Sequence, residues 1–188
     1  MDLNDNNDVV TDRRLPGWRA RLIVDDHAGE PWGDALAPAL IISSSGHVQA
    51  AADVYQDRRA EQIRRAWQHF TDHDLFSRYL RLSHGTTAIA AATTGDTTVL
   101  TFDTSDYRAH AGITTITDLT GERDEWQAWL DGDVYGVIVE HRTTAQRCLH
   151  CGHIRPSSLV EVDACWGHYG RAYAAEQALH LLRAAARS

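Results

Sequence analysis

All three cysteines of this chain lie near its carboxyl end, in the order Cys148-x2-Cys151 and then Cys165-x2-His168. Three thiols and an imidazole at these spacings are the donor types and the local pattern of a tetrahedral zinc site. An ion bound in this way stabilises a fold and does not by itself define an activity. The pattern therefore predicts a structural zinc site with these four residues as its ligands.

Two other interpretations of the cluster stay open. If the cysteine pair lies in the loop of a plain hairpin, Cys165 lies beyond the other end of the return strand, about 15 Å away, and closure requires the chain after His153 to fold back. His150 or His153 would instead complete a site inside the loop, although four ligands in so short a stretch are strained around one ion. The last interpretation has no metal: Cys165 is a small buried core residue, and Cys148 and Cys151 are an incidental dithiol.

Two further groups of residues could do chemistry, and both have plainer explanations. Asp163, Cys165 and His168 have the side chains of an orienting group, a nucleophile and a base, but such partners normally converge from separate segments. His69 and His73 stand four residues apart without the His-Glu-x-x-His pattern of a metalloprotease, and they are typical of a solvated helix end.

The hydrophobic pattern predicts strands and helices distributed along the whole chain. Strands are predicted at Gly17–Val24, Ala39–Ile42, Ala88–Ala91, Thr97–Phe102, Val134–Glu140 and Leu159–Val162. Helices are predicted at Asp57–Phe70, Asp74–His84, Ser105–His110, Asp118–Leu130 and Tyr169–Ala186. Two adjacent strand pairs are typical of hairpins, so we expect an α+β fold, with one domain, a mostly antiparallel sheet, helices packed on one face and a long C-terminal helix.

Two local patterns are better explained by structure than by ligand binding. The acidic stretch Asp25-Asp26-His27 predicts a turn, where aspartate is common for backbone reasons. Gly136 in the central strand, and Gly167 and Gly170 around Tyr169, indicate close packing against aromatic side chains.

Length and composition indicate a soluble globular protein. The 188 residues suit one domain that buries a core without disulfides. Residues 1–14 are polar and dominated by Asn and Asp, which predicts a disordered acidic tail before a single α+β domain over residues 15–188. The sequence has no apolar stretch long enough to span a membrane and no signal-peptide pattern at its start, so we expect a cytoplasmic protein without a membrane partner.

The charge of the chain bears on its partners. The formal net charge is −8, and all 18 basic residues are arginine. Binding to phosphate backbones requires a cationic surface, so this balance disfavours nucleic acid as the partner.

Three segments together resemble small accessory proteins carried by actinobacterial phages and plasmids, a group without an assigned activity. These segments are Arg78–Gly85, Asp133–Glu140 and Val162–Gly170. The resemblance covers the C-terminal part of the chain and brings no catalytic residues. In that group the Cys-Trp-Gly element occurs without a nearby Cys-x2-Cys pair, which implies that Cys165 has a packing role of its own.

Three hypotheses of function follow. The first, which we favour, is a non-enzymatic accessory protein of a phage or other mobile element that binds a host protein, for example to block a defence system, and that has a structural zinc site. The second is a metal-dependent hydrolase that uses histidines brought together from His27, His69, His73 and the C-terminal cluster. The third is a zinc-stabilised nucleic-acid-binding module with a local basic patch formed by Arg142, Arg147, Arg155 and Arg171.

Overall fold

The fold was analysed in a computed structural model that describes residues 8–31, 39–43, 48–50, 58–67, 69–70, 73–110, 112, 118–148, 150–151 and 153–187. The strands are β1 (Val9–Val10), β2 (Trp18–Val24), β3 (Ala39–Ser43), β4 (Val48–Ala50), β5 (Ile89–Thr94), β6 (Thr97–Phe102), β7 (Val134–Arg142), β8 (Gln146–Arg147), β9 (Ile154–Arg155) and β10 (Leu159–Tyr169). The helices are α1 (Arg58–Trp67), α2 (His73–His84), α3 (Ser105–His110), α4 (Thr120–Leu130) and α5 (Arg171–Ala185). The predicted α+β class, the antiparallel pairing and the long C-terminal helix are confirmed.

The chain divides into two compact units. Unit 1 comprises Met1–Ala28 and Gly132–Ser188, and unit 2 comprises Gly29–Asp131. The strands accordingly form two four-stranded sheets, where the sequence predicted one sheet, and a small additional ladder of β8 and β9. Within the described residues, no helix combines the length and the apolar character needed to cross a membrane.

Unit 1 is built on an antiparallel sheet with the order β1-β2-β7-β10. Alternate residues of β2 and β7, such as Leu22 and Val137, face α5 and form one buried cluster with it. Ala174 and Ala178 are the helix residues at the centre of this contact, and their small side chains let the helix lie close to the sheet. This unit therefore has the predicted arrangement of a helix on one face of a sheet.

Residues 8–14, which the sequence assigned to a tail, are ordered in unit 1. Val9 and Val10 pair with β2, and the Val10 side chain is buried. Asp12 accepts a hydrogen bond of 2.9 Å from Nε of Arg183 on α5. Two valines and a paired carboxylate thus attach this stretch to the sheet, whereas residues 1–7 lie outside the described residues.

Strand β10 is longer than the predicted Leu159–Val162. It runs on to Tyr169 and is interrupted by two bulges, between Glu161 and Asp163 and between Cys165 and His168. Gly170, at a φ of 85°, then turns the chain into α5, which begins at Arg171. The predicted helix start at Tyr169 was therefore too early by two residues, and Cys165 and His168 both lie on the strand.

Unit 2 has the sheet order β4-β3-β6-β5. One face packs against α1 and α2, with Leu40 and Phe102 in contact with helix residues such as Phe76. The other face packs against α4, where Trp126 covers Val99. Strand β3 is apolar at every position from Ala39 to Ile42, so both of its faces are buried and helices lie on both sides of this sheet. The predicted helix start at Asp57 lies outside the described residues.

Candidate functional site

The Cys148–Cys151 pair lies at the tip of a hairpin that extends past the sheet of unit 1. Strand β2 pairs with β7 only as far as His141, whereas β7 and β10 pair up to Arg142 and Leu159. The backbone N–H of Thr143 then donates to the carbonyl of Ser158 at 2.8 Å, and the β8–β9 ladder continues the hairpin. We call residues 143–158 the hairpin arm. The long β7–β10 ladder thus carries the cysteine pair away from the buried core.

Backbone hydrogen bonds hold the tip of the arm in a tight turn. The N–H of Cys148 donates to the carbonyl of His153 at 2.7 Å. The Cys148 sulfur in turn accepts hydrogen bonds from the backbone N–H of Cys151, from the Cys151 thiol and from the backbone N–H of His150. These donors stabilise the thiolate and hold the pKa of the Cys148 thiol below its ordinary value. Both thiols are free and exposed.

The same turn borders a surface cavity of about 380 Å³. Its lining residues include both cysteines and His153, together with Gln146 and Arg155 from the paired strands below the tip. Both cysteines and His153 therefore border one solvent-accessible space.

The structure does not bring Cys165 or His168 to this pair. Cys165 lies opposite Val137, which is about 17 Å from Arg142 along β7, and the arm begins only after Arg142. Zinc–sulfur bonds are about 2.3 Å long, so four donors must converge on a single point. Among the described residues, no group of three or more His, Cys, Asp or Glu side chains is already arranged around such a point. The predicted set of four ligands is thus divided between the tip and β10.

His168 has a buried environment of its own. It lies opposite Tyr135 in the sheet, its side chain faces α5, and its ring is 6.0 Å from that of Tyr173. Only 8% of the residue is exposed, and its Nε2 has no hydrogen-bond partner in the part of the chain that the structure describes. Burial without compensation disfavours the imidazolium, so the pKa of His168 lies below its ordinary value.

The sequence-level triad of Asp163, Cys165 and His168 does not form a hydrogen-bonded set. All three lie on the same face of β10, since their partners on β7 all belong to the face that packs on α5. However, Asp163 accepts its hydrogen bond from the backbone N–H of Ala164, and the His168 Nε2 has no partner. The arrangement therefore lacks the base-to-nucleophile contact that activates a thiol.

The remaining candidate groups have local structural roles where they are described. The predicted turn at Asp25-Asp26-His27 is confirmed, with Oδ1 of Asp25 accepting from the backbone N–H of His27 at 3.2 Å. His69 is exposed just after α1, and His73 begins α2.

Sequence reasoning missed the outer edge of β10. Within the described residues β10 pairs only with β7, and its side chains Val160, Val162 and Trp166 are 45%, 48% and 51% exposed. The alternation of valine with acidic residues predicted a strand here. It could not show that the strand lies at an edge, because that depends on how the distant strands β2 and β7 pair.

Trp166 lies across the centre of the sheet, over Gly136. A Cβ atom built on Gly136 would be only 2.7 Å from Cδ2 of Trp166, so the ring occupies the place of a side chain on β7. The predicted packing of Gly136 against an aromatic ring is confirmed. For Gly167 and Gly170 it is wrong: apart from their chain neighbours, no described residue has an atom within 4 Å of a Cβ there, and φ values of 79° and 85° are the reason for glycine. The bulge at Gly167 thus positions a half-exposed tryptophan on the sheet.

Comparison of the chain with protein-family models, with curated proteins and with solved structures found no match.

Proposed function

We propose that this protein is a non-enzymatic accessory protein of a phage or other mobile element, and that it acts in the cytoplasm by binding a host protein. The observation that supports this proposal is the edge strand β10, which has exposed apolar side chains along its length. Blocking a host defence system is a role that suits such a protein, because it requires tight binding and no chemistry.

A bare edge strand offers two kinds of contact to a partner. Its outward N–H and C=O groups can pair with an added strand, and Val160 and Val162 supply apolar contacts beside them. Trp166, half exposed over Gly136, supplies the large rigid aromatic surface that often dominates binding energy at interfaces. Soluble proteins usually cover or charge such edges, so one that stays exposed indicates an interaction surface.

Charge distinguishes between a host partner and a second copy of this chain. Glu161 and Asp163 alternate with the valines, and both are exposed. Antiparallel pairing of two copies of β10 would place these carboxylates near one another, which is unfavourable. Residues 142–158, by contrast, contain three arginines and no acidic residue, in a chain with a net charge of −8. The surface therefore favours a different protein, with acidic groups facing the arm.

The test is affinity capture from a host lysate with three forms of the protein. Val162→Lys places a charge on the edge, and Val24→Lys is the matched control, since Val24 is the same residue type, also 48% exposed, on β2 of the same unit. We expect the wild type and Val24→Lys to retain one defined protein, and Val162→Lys to retain at least about tenfold less of it, as expected when a central apolar contact is lost. Equal retention by both variants, or no defined protein with the wild type, would contradict the proposal.

A second candidate function is nucleic-acid binding by the hairpin arm, favoured by its local charge. Arg142 is exposed at the end of β7, just before the arm, and Arg155 is exposed on β9 within the arm and borders the cavity at the tip. Arg171 does not add to this patch, since it is 3.2 Å from Asp8. A mobility shift with DNA or RNA that weakens steeply with salt and is lost in Arg142→Ala/Arg155→Ala would establish this function in place of the first.

A further inference from the structure

The tip of the hairpin arm has the local geometry of half a thiolate metal site. The Cys148 sulfur accepts N–H bonds from the second and third residues after it, His150 and Cys151. A sulfur fixed by backbone donors, with a second sulfur beside it, needs little rearrangement to bind a metal as thiolate. This turn depends only on local hydrogen bonds and therefore does not require Cys165.

The cavity at the tip supplies a third donor. His153 borders the same space as the two cysteines, and its carbonyl closes the turn by accepting from the N–H of Cys148. His150 contributes its backbone N–H to the turn but is not among the residues that border the cavity. Of the two nearby imidazoles, His153 is therefore the better placed to complete a site.

The donor types select the kind of ion. Two thiolates and one imidazole favour zinc and similar soft divalent cations over magnesium or calcium, which prefer oxygen ligands. Because both thiols are exposed, an ion can enter from solvent, and water or a partner side chain can take the fourth position.

We propose that the hairpin tip binds one zinc-class divalent cation through Cys148, Cys151 and His153. Three ligands are not already in place around one point, so binding draws the His153 ring toward the two sulfurs and fixes the turn. This inference is independent of the proposed host protein, since it concerns the purified chain alone. It also differs from the sequence prediction, because Cys165 and His168 are not ligands.

The test uses Co²⁺ as a spectroscopic probe on the full chain, kept reduced with a non-thiol reductant. The expected result is one equivalent of Co²⁺ with the absorption of cobalt–thiolate bonds in a tetrahedral site, displaced by one equivalent of Zn²⁺. Cys148→Ser and Cys151→Ser should abolish this absorption. Cys165→Ser, the same change on β10, should leave it intact.

The third ligand has its own matched pair of variants. His153→Ala should weaken Zn²⁺ binding by at least about tenfold, since a direct ligand matters at least as much as an outer partner. His150→Ala should bind like the wild type. Far-ultraviolet circular dichroism verifies that each variant is folded, and protection of Cys148 and Cys151 from alkylation by added Zn²⁺ gives a second readout. The proposal is overturned if the wild type shows no thiolate bands, if Cys165→Ser loses them, or if His150→Ala and not His153→Ala weakens binding.

Discussion

The edge strand β5 of unit 2 and the edge strand β10 of unit 1 differ in how far their outer sides are covered. In unit 2 the edge strand β5 is covered by α4, and the Gln127 side chain bonds its backbone as a neighbouring strand would. The Gln127 Oε1 accepts from the N–H of Thr93 at 3.0 Å, and its Nε2 donates to the Thr93 carbonyl at 3.1 Å. In unit 1, the described residues leave the outer side of β10 without any such cover.

Among the described residues, side-chain hydrogen bonds to the strand backbone thus cover the edge of β5 and not that of β10. Edge strands that are left open attract other strands, and natural proteins usually prevent this. The exposed edge of β10 is therefore the surface at which we propose that a partner binds. If that is correct, substitutions at the edge of β5 should lower the free energy of unfolding, and substitutions at the edge of β10 should weaken binding of the partner.

The largest loss of stability is expected for Asp103→Ala in unit 2. This fully buried carboxylate, just after β6, accepts from the backbone N–H groups of Thr87 and Ala88 at 2.8 Å and 2.6 Å and pairs with Arg108. It thereby fixes the chain that leads into β5. Its removal leaves the Arg108 guanidinium and the backbone N–H groups of Thr87 and Ala88 without this partner. We therefore expect the free energy of unfolding, measured by urea denaturation, to fall by about 3–5 kcal/mol. Asp124→Ala, which removes an exposed carboxylate of the same unit that pairs with Arg123, should cost much less. A loss for Asp103→Ala no larger than this would contradict the role given to the buried carboxylate.

The next largest loss is expected for Gly136→Ala in unit 1. The new methyl group would collide with the Trp166 ring and displace it or bend β7, so we expect a loss of about 1–3 kcal/mol. The double variant Gly136→Ala/Trp166→Ala should recover part of this loss, because it removes the collision. Gly29→Ala, where no atom lies within 4 Å of the new Cβ, is the control. Strict additivity of the two single changes would show that Trp166 is not held against Gly136.

A smaller effect is expected for Gln127→Ala, which uncovers the edge of β5. Loss of the two bonds to the Thr93 backbone should lower the free energy of unfolding by about 1 kcal/mol in urea denaturation, because water can replace part of them at this exposed position. At the open edge of β10, Val160→Lys should change the free energy of unfolding by less than about 0.5 kcal/mol. If Val160→Lys lowers the free energy of unfolding as much as Gln127→Ala does, the proposed difference between the two edges is wrong.

The smallest effect is expected from pH, through the buried end of β10. Burial lowers the pKa of His168, so the unfolded chain takes up a proton at a higher pH than the folded chain does. The contribution of His168 to the free energy of unfolding is thus fully present above about pH 6.5, the pKa of a histidine in the unfolded chain. It is lost as the pH falls from there toward the lower pKa of the folded state. Urea denaturation at about pH 7.5 and about pH 5.5 should show this fall in the wild type and a smaller fall in His168→Gln. An unchanged fall in the variant would assign the pH dependence to other groups.

Elements with a clear hydrophobic period could be predicted from the sequence. The β5–β6 hairpin around Gly95 and the start of β7 at Val134 are at the predicted places, because alternation and turn residues are local signals. Strands of two or three residues, such as β1 and β8, have no period and were missed. The division into two sheets was also missed, since it depends on which distant strands pair.

The candidate site divides in the same way between local and distant information. The tight turn around Cys148 and Cys151 follows from the short spacing of the pair, and the structure places the two together. The position of Cys165 depends on the length of β10. The sequence analysis predicted that this strand ends at Val162 and that the helix begins at Tyr169. In the structure, Gly167 lies in a bulge and Gly170 ends the strand.

The two bulges of β10 limit how any foreign strand can dock on it. Uninterrupted register with β7 extends only over Leu159–Glu161, Asp163–Cys165 and His168–Tyr169, so the outward amides are regularly spaced for only a few residues at a time. An incoming chain can form a short ladder but cannot propagate it, and stacking of many copies into a fibril is disfavoured.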